Sequence, residues 1–400
     1  MTQTNGQPGI LLYTRIRKSP FFHASRKHGP KLYSVYNHTY HPRHYGDPFE
    51  EYQHLVDGVT LWDVGVERQT EITGPDAFKL ANMLVPRDLH KCAVGQCKYV
   101  FLTAPDGGII NDPVLLRLGE NHFWISAADS DILLWAMGVA HGHGLDVTVR
   151  EPDASPVQIQ GPKSKEVMVE LFGESILDLP YYHLKEDTLE GMQVVISRTG
   201  YTGELGFEIY VHEATRLGVK LWETVLEAGT PHGLVVTGPG HIRRIEGGIL
   251  AYGCDMWLDT NPYEVDMGYE WMVDLNQDAD FVGKEALKRI KEEGISRKLV
   301  GVEIGGEKLG SYIDNTMIDV FPVFHGGERV GQVTSACYSP RLEKNIGFAM
   351  VPIELAELGT ELEVETPAER TSGVVVERPF IDPKKEIPKQ ELAAQESTTT

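Results

Sequence analysis

At 400 residues the chain exceeds what one hydrophobic core organises, so two or three packed units are expected. Its 41% apolar and 24% charged content is that of a globular protein, and no apolar run reaches the roughly 18 residues of a membrane span. The net charge of -21 leaves no broad phosphate-binding surface and so argues against a nucleic-acid partner; its plain reading is solubility.

In chain order, residues 1–10 read as a flexible, polar lead-in without the charged-then-apolar pattern of an export signal, which makes a cytoplasmic location the default. Arg68–Thr73 alternates as a strand and stops at Gly74-Pro75, after which Asp76–Met83 has helical spacing. Lys98–Thr103 is a strand that ends at the Pro105–Gly108 turn, and Val114–Leu118 and Phe123–Ser126 continue as a meander. Helices are expected over Asp129–Gly138, over Lys163–Phe172 after a second Gly-Pro pair, over Ala214–Ala228 and over Gly283–Glu293. The repeated strand, Gly-Pro, helix arrangement suggests that residues 11–295 form an α+β region of two related halves. Past residue 295 short strands follow closely, at Leu299–Glu303, Asp319–Val323, Arg329–Cys337, Ile346–Val351, Glu361–Val364 and Ser372–Val376, as in a small β-barrel or sandwich spanning 296–382. Residues 383–400 are polar and interrupted by proline, and a disordered tail is expected. Cys92, Cys97, Cys254 and Cys337 are too few for a disulfide framework and lack metal-ligand spacing, so they read as reduced packing residues, with no metal expected.

Three stretches could carry chemistry. In Gly107–Pro113 (GGIINDP) a glycine turn presents Asp112 just before a strand, where a carboxylate facing a cleft could hold an amine or accept a proton; alone, it reads more often as a turn residue. In Arg198–Tyr210 (RTGYTGELGFEIY) interleaved glycines let the backbone approach a flat ligand, and a carboxylate on such a loop suits a ring with adjacent N–H donors. Gly238–Gly253 (GPGHIRRIEGGILAYG) lacks the spacing and lysine of a phosphate loop, and Arg243, Arg244 and Glu246 read as surface ion pairs of a helix. Aromatic residues, among them Tyr36, Tyr99, Tyr201 and Trp271, are numerous enough to cage a sulfonium or quaternary ammonium, although most will be core.

Taken together and in this order, these segments resemble the folate-dependent aminomethyltransferase superfamily, represented by the T-protein of the glycine cleavage system. The likeness runs from about Tyr13 to Phe380 and includes RTGYTGELGFEIY, GGIINDP, Thr260–Leu275 and Asp280–Leu287. Within that superfamily the chain is most similar to the dimethylsulfoniopropionate demethylases, in Tyr33–His38, Leu61–Gln69, Asn111–Pro113, Ala127–Asp131 and Ser335–Pro340. The T-protein's GARD arginine falls on Gly240, and its DVSHMG stretch reads Asp63 to Arg68 here; the demethylase tryptophan falls on Tyr201.

The resemblance implies a three-domain α+β fold with a central folate channel and a small C-terminal β-barrel. It implies tetrahydrofolate as co-substrate, with Asp112 catalytic and beside the reacting nitrogen, Glu208 on the pterin ring, and Tyr99, Ser126, Tyr181 and Tyr201 lining the cavity. The expected activity is methyl transfer from a small methylated substrate, such as dimethylsulfoniopropionate or another sulfonium or ammonium compound, to tetrahydrofolate. Two alternatives stay open: a glycine cleavage aminomethyltransferase, and a non-catalytic folate-binding protein of the same fold. The partners implied are these small molecules, with no nucleic acid and no membrane; a homodimer stays open.

Overall fold

The computed structural model describes residues 13–265, 272–310 and 321–392. The lead-in, Trp271 and the start of the strand expected at Asp319 lie outside these residues. Three β-structures carry the chain. A five-stranded antiparallel sheet has the order Thr148–Arg150, Gln69–Thr73, His122–Ser126, Val114–Gly119, Cys97–Tyr99. A six-stranded sheet runs Leu184–Leu189, Met192–Ser197, Gly206–His212, Ala154–Gln160, Val59–Asp63, Leu234–Val236, and only the last pairing is parallel. The third is a closed six-stranded barrel, in which Arg297–Ile304 pairs with both Lys344–Pro352 and Arg370–Val376.

Each sheet is covered by two helices whose apolar stripes set the packing. Ala214–Gly229 buries Gly218, Leu221, Trp222 and Val225, a helical period, and with Ser164–Phe172 it closes the core over the six-stranded sheet. Ala77–Leu84 and Ile132–Gly142 do the same for the five-stranded sheet. Both strand-to-helix turns use a glycine that no other residue replaces. Gly74 and Gly161 have φ of +123° and +119°, and a Cβ would meet Asp146 O at 2.8 Å and Gly58 O at 2.5 Å.

The structure departs from three expectations. Lys98–Thr103 is not one strand but two, Cys97–Tyr99 and Leu102–Thr103, because Val100 donates to Pro113 O and Phe101 turns toward the barrel cluster around Phe348. The helix expected from Asp129 begins at Ile132, since the Asp129 carboxylate accepts from Asn37 N of a neighbouring hairpin. The tail expected to be disordered from residue 383 is docked as far as 392. Asp382 caps a short helix, Glu386–Lys389, and the Arg198 guanidinium donates to Pro388 O (2.9 Å) and Gln390 O (2.5 Å). Lys385 Nζ reaches Gly247 O, and Leu392 packs on the core of the six-stranded sheet. Polar composition concealed this because most of the docking is through backbone carbonyls, Arg198 and Lys385, with Leu392 the apolar contribution.

Candidate active site

Asp112 sits where the glycine turn was expected to present it. The turn is forced: Gly107 has φ +90°, and a Cβ on Gly108 would lie 1.9 Å from Leu258 O. Asn111 is fixed on both sides, donating to Ser130 Oγ (2.7 Å) and accepting from Ala128 N (3.0 Å). Asp112 is therefore aimed by its neighbours. It is buried and accepts from Tyr99 OH at 3.0 Å. Burial pushes its carboxyl up to about 8; the Tyr99 hydrogen bond opposes this and the charge of Asp255 adds to it.

Glu208 is built by register. In the six-stranded sheet it stands directly opposite Gln158 on one side and Ser197 on the other. Gln158 Nε2 donates to Oε1 at 2.6 Å, while Thr199 Oγ1 and Tyr210 OH donate to Oε2, each at 2.6 Å, and Ser197 Oγ at 3.3 Å. Gln158 Nε2 also approaches Glu67 Oε1 at 3.3 Å, and Ser126 Oγ donates to Glu67 Oε2 at 3.1 Å. Burial first, and the charge of Glu208 second, push the Glu67 carboxyl well above the usual range. Gln69 Nε2, across the ladder from Ser126, donates to that hydroxyl at 2.9 Å. A polar line thus runs from one sheet to the other. Within it Gln158 Oε1 and Gln69 Oε1 are buried and lack a partner among the described residues.

Ser126 and Glu208 are members of this line, Tyr99 is bonded to Asp112, and Tyr201 stands within Coulomb reach of Asp112, Asp255 and Arg244. Tyr181 is set further back. Its ring meets Tyr182 edge-on at 4.7 Å and it stands within Coulomb reach of Arg198, whereas Tyr182, at φ +58°, is the tyrosine near Glu208. Gln158 escaped the sequence reading, and Glu67 entered it only as a departure from the T-protein pattern. The signal for Gln158 was present in Ala154–Gln160 (ASPVQIQ), where glutamines alternate with apolar residues on a strand buried along most of its length.

Arg243, Arg244 and Glu246 are not surface pairs. The helix His241–Glu246 is buried at every position. Arg243 Nε meets Glu204 Oε1 at 2.6 Å, and Arg341 reaches the same oxygen at 3.0 Å. Arg244 donates to Asp255 Oδ2 and to Ser335 Oγ, both at 2.6 Å, while Tyr52 and Ser339 hydroxyls donate to Glu246. These bonds join the helix to the Thr199–Glu204 loop and the barrel. Among the described residues no group of three or more His, Cys, Asp or Glu could hold a metal ion. None of the described helices is long and apolar enough to cross a membrane.

Residues 21–277 match the GCVT N-terminal domain, and residues 297–382 match the glycine cleavage T-protein C-terminal barrel domain. The chain belongs to the glycine cleavage T-protein family. Within the family it is 37% identical to the dimethylsulfoniopropionate demethylase DmdA of Ruegeria pomeroyi over 353 residues, covering 88% of this chain and 94% of that one. It is 34% identical over 379 residues to an aminomethyltransferase of Symbiobacterium thermophilum, covering 91% and 97%. The fold matches the crystal structure of the glycine cleavage aminomethyltransferase T of Bartonella henselae with a TM-score of 0.78, at 23% identity, over 94% of this chain and all of that one. The α+β architecture with a C-terminal barrel is therefore the family fold.

Proposed function

We propose that the chain is a tetrahydrofolate-dependent methyltransferase that demethylates a small sulfonium or ammonium compound. What supports this reading is a buried carboxyl, Asp112, together with a buried row of acceptors, Glu208, Gln158 and Glu67. Glu208 and the unpartnered Gln158 Oε1 fit the adjacent N–H donors of an amino-pyrimidinone ring. Tyr99, Ser126 and Tyr201 would complete the walls, with Tyr182 where Tyr181 was expected. Tetrahydrofolate supplies a ring nitrogen that takes the methyl group as the donor's carbon–sulfur or carbon–nitrogen bond breaks, with release of one proton. Asp112, ionised, takes that proton on a carboxylate oxygen while Tyr99 OH holds Oδ2 in place. The rest of the work is alignment, which can lower a barrier by roughly 7–11 kcal/mol.

The likeness to a demethylase, with Glu67 and Gly240 at positions where T-proteins differ, favours this reading. A glycine cleavage aminomethyltransferase is the second reading. It is favoured by the Thr199–Glu204 stretch, whose Glu204 is locked between Arg243 and Arg341. The folate product decides between them: incubation with methylated osmolytes yields 5-methyltetrahydrofolate on the first reading, and reduced aminomethyl-lipoyl carrier yields the methylene form on the second. Glu208→Gln is expected to weaken tetrahydrofolate binding by roughly 10- to 100-fold, the value of a charged hydrogen bond; wild-type affinity in that variant removes Glu208 from the ring site.

A further inference from the structure

Asp63 carries a buried charge that the reaction above leaves unused. It ends the strand Val59–Asp63 and is 0% exposed. Its Oδ2 accepts from Ser19 Oγ at 2.8 Å and from Ser25 Oγ at 2.9 Å, and its Oδ1 accepts from Gly65 N at 3.3 Å. These bonds and burial are what act on it, and among the described residues no lysine, arginine or histidine pairs with it. Hydroxyl donors spread a negative charge without cancelling it, so the carboxylate stays costly to bury until a positive charge joins it.

More oxygens surround the carboxylate than its own bonds use. Tyr45 and Tyr33 both stand within Coulomb reach of it. Tyr45 is 8% exposed and its hydroxyl lies beside Ser25. Yet that oxygen and the Tyr33 hydroxyl are buried and complete no hydrogen bond among the described residues. Each serine gives its proton toward Oδ2, which leaves the lone pairs of its own oxygen free. Phe22 O lies 3.4 Å from Ser25 Oγ and adds a carbonyl to the group. The further charges at hand act on the tyrosines and oppose each other, Arg26 on Tyr33 and Glu51 on Tyr45.

We propose that Asp63, Ser19, Ser25 and the Tyr45 hydroxyl bind a monovalent alkali cation, sodium or potassium, which compensates the carboxylate. This goes beyond the methyl-transfer reading and does not depend on it. The donor set is all hard oxygen with one formal charge, so a single positive charge balances it. Calcium or magnesium would leave charge in excess and would lack the further carboxylates or waters that each demands. Softer metals want nitrogen or sulfur ligands, and the group has neither. The ion also ties two segments together. A Cβ on Gly65 would lie 2.8 Å from Ser19 Cβ, so the stretch from Ser19 to Ser25 presses on the 63–68 loop, whose Glu67 enters the polar line of the candidate site.

The test follows thermal melting of the full chain in sodium, potassium or Tris chloride at one pH and one ionic strength. Wild type should melt roughly 2–4 °C higher in at least one alkali salt than in Tris, with a rise that saturates as the alkali ion replaces Tris. Asp63→Asn keeps the shape and removes the charge, and it should lose that difference. Tyr45→Phe keeps the charge and removes one ligand, and it should raise the half-saturating concentration severalfold. Equal melting of wild type in all three salts overturns the site. So does an Asp63→Asn variant that keeps the wild-type difference. Should that variant fail to fold, a Tyr45→Phe variant with unchanged half-saturation overturns it instead.

Discussion

Asp112 carries a titration that follows from its burial. The folded carboxyl holds its proton up to about 8, while the unfolded one releases it near 3.8. Between those values the native state binds the extra proton. The stability this gives is complete below the unfolded pKa and is lost as pH rises through about 8. Asp112→Asn should therefore melt near wild type at pH 4 and above it at pH 9; a pH-independent difference in Tm would show that the carboxyl is not held protonated. For catalysis the sign is reversed, since the proton acceptor is the ionised form. The free enzyme's kcat/KM should climb with pH through about 8 in wild type. In Asp112→Asn it should lie about 100-fold or more lower, with no such rise. At this scale Asp112 and Glu208 were singled out through the family resemblance of the glycine-bounded motifs that carry them; from its motif alone Asp112 read more often as a turn residue. The link from Glu208 through Gln158 to Glu67 was not read, since it arises from strand register and from segments remote in the chain.

Among the elements, the helix His241–Glu246 is the one whose sequence misleads. Arginines and a glutamate in a short helix read as solvated, and nothing in its spacing says otherwise. Its partners, Tyr52, Glu204, Asp255, Ser335 and Ser339, come from remote stretches of chain, so burial arises only on assembly. Both members of the Arg244–Asp255 pair are fully buried, and the carboxylate also accepts from Thr334 Oγ1, Ser335 Oγ and Ala251 N. Removing one charge from such a pair leaves the other uncompensated, so Asp255→Ala is expected to cost about 3–5 kcal/mol in urea unfolding. A loss under 1 kcal/mol would mean the network is solvated in solution. Helices with an apolar stripe, such as Ala214–Gly229, were legible to within a residue or so because periodicity alone determines which face is buried.

Across the whole molecule, the docked tail reaches back to the site it never touches. Arg198, held by Pro388 and Gln390 carbonyls, directly precedes Thr199, whose hydroxyl positions Glu208. Deleting residues 383–400 strips buried guanidinium donors of their acceptors. The expected loss is about 1–3 kcal/mol in stability, together with weaker tetrahydrofolate binding. A truncated chain with wild-type melting and wild-type folate affinity would make the tail an ornament. Its docking was illegible because composition speaks to how much apolar surface a segment can bury, not to carbonyls waiting on a distant arginine.

The closed barrel has one more consequence. Because Arg297–Ile304 and Arg370–Val376 join to shut the cylinder, no row of peptide groups is left over for a stranger to zip onto. The six-stranded sheet does end, at Leu184–Leu189 on one side and Leu234–Val236 on the other. The first of these rims is studded with Lys185, Glu186 and Asp187, which discourage intruding strands. The second is three residues long and bears no charge. Heat-stressed chains should therefore begin to clump there, and a lysine at Val235 should slow the turbidity rise more than one placed anywhere on the barrel.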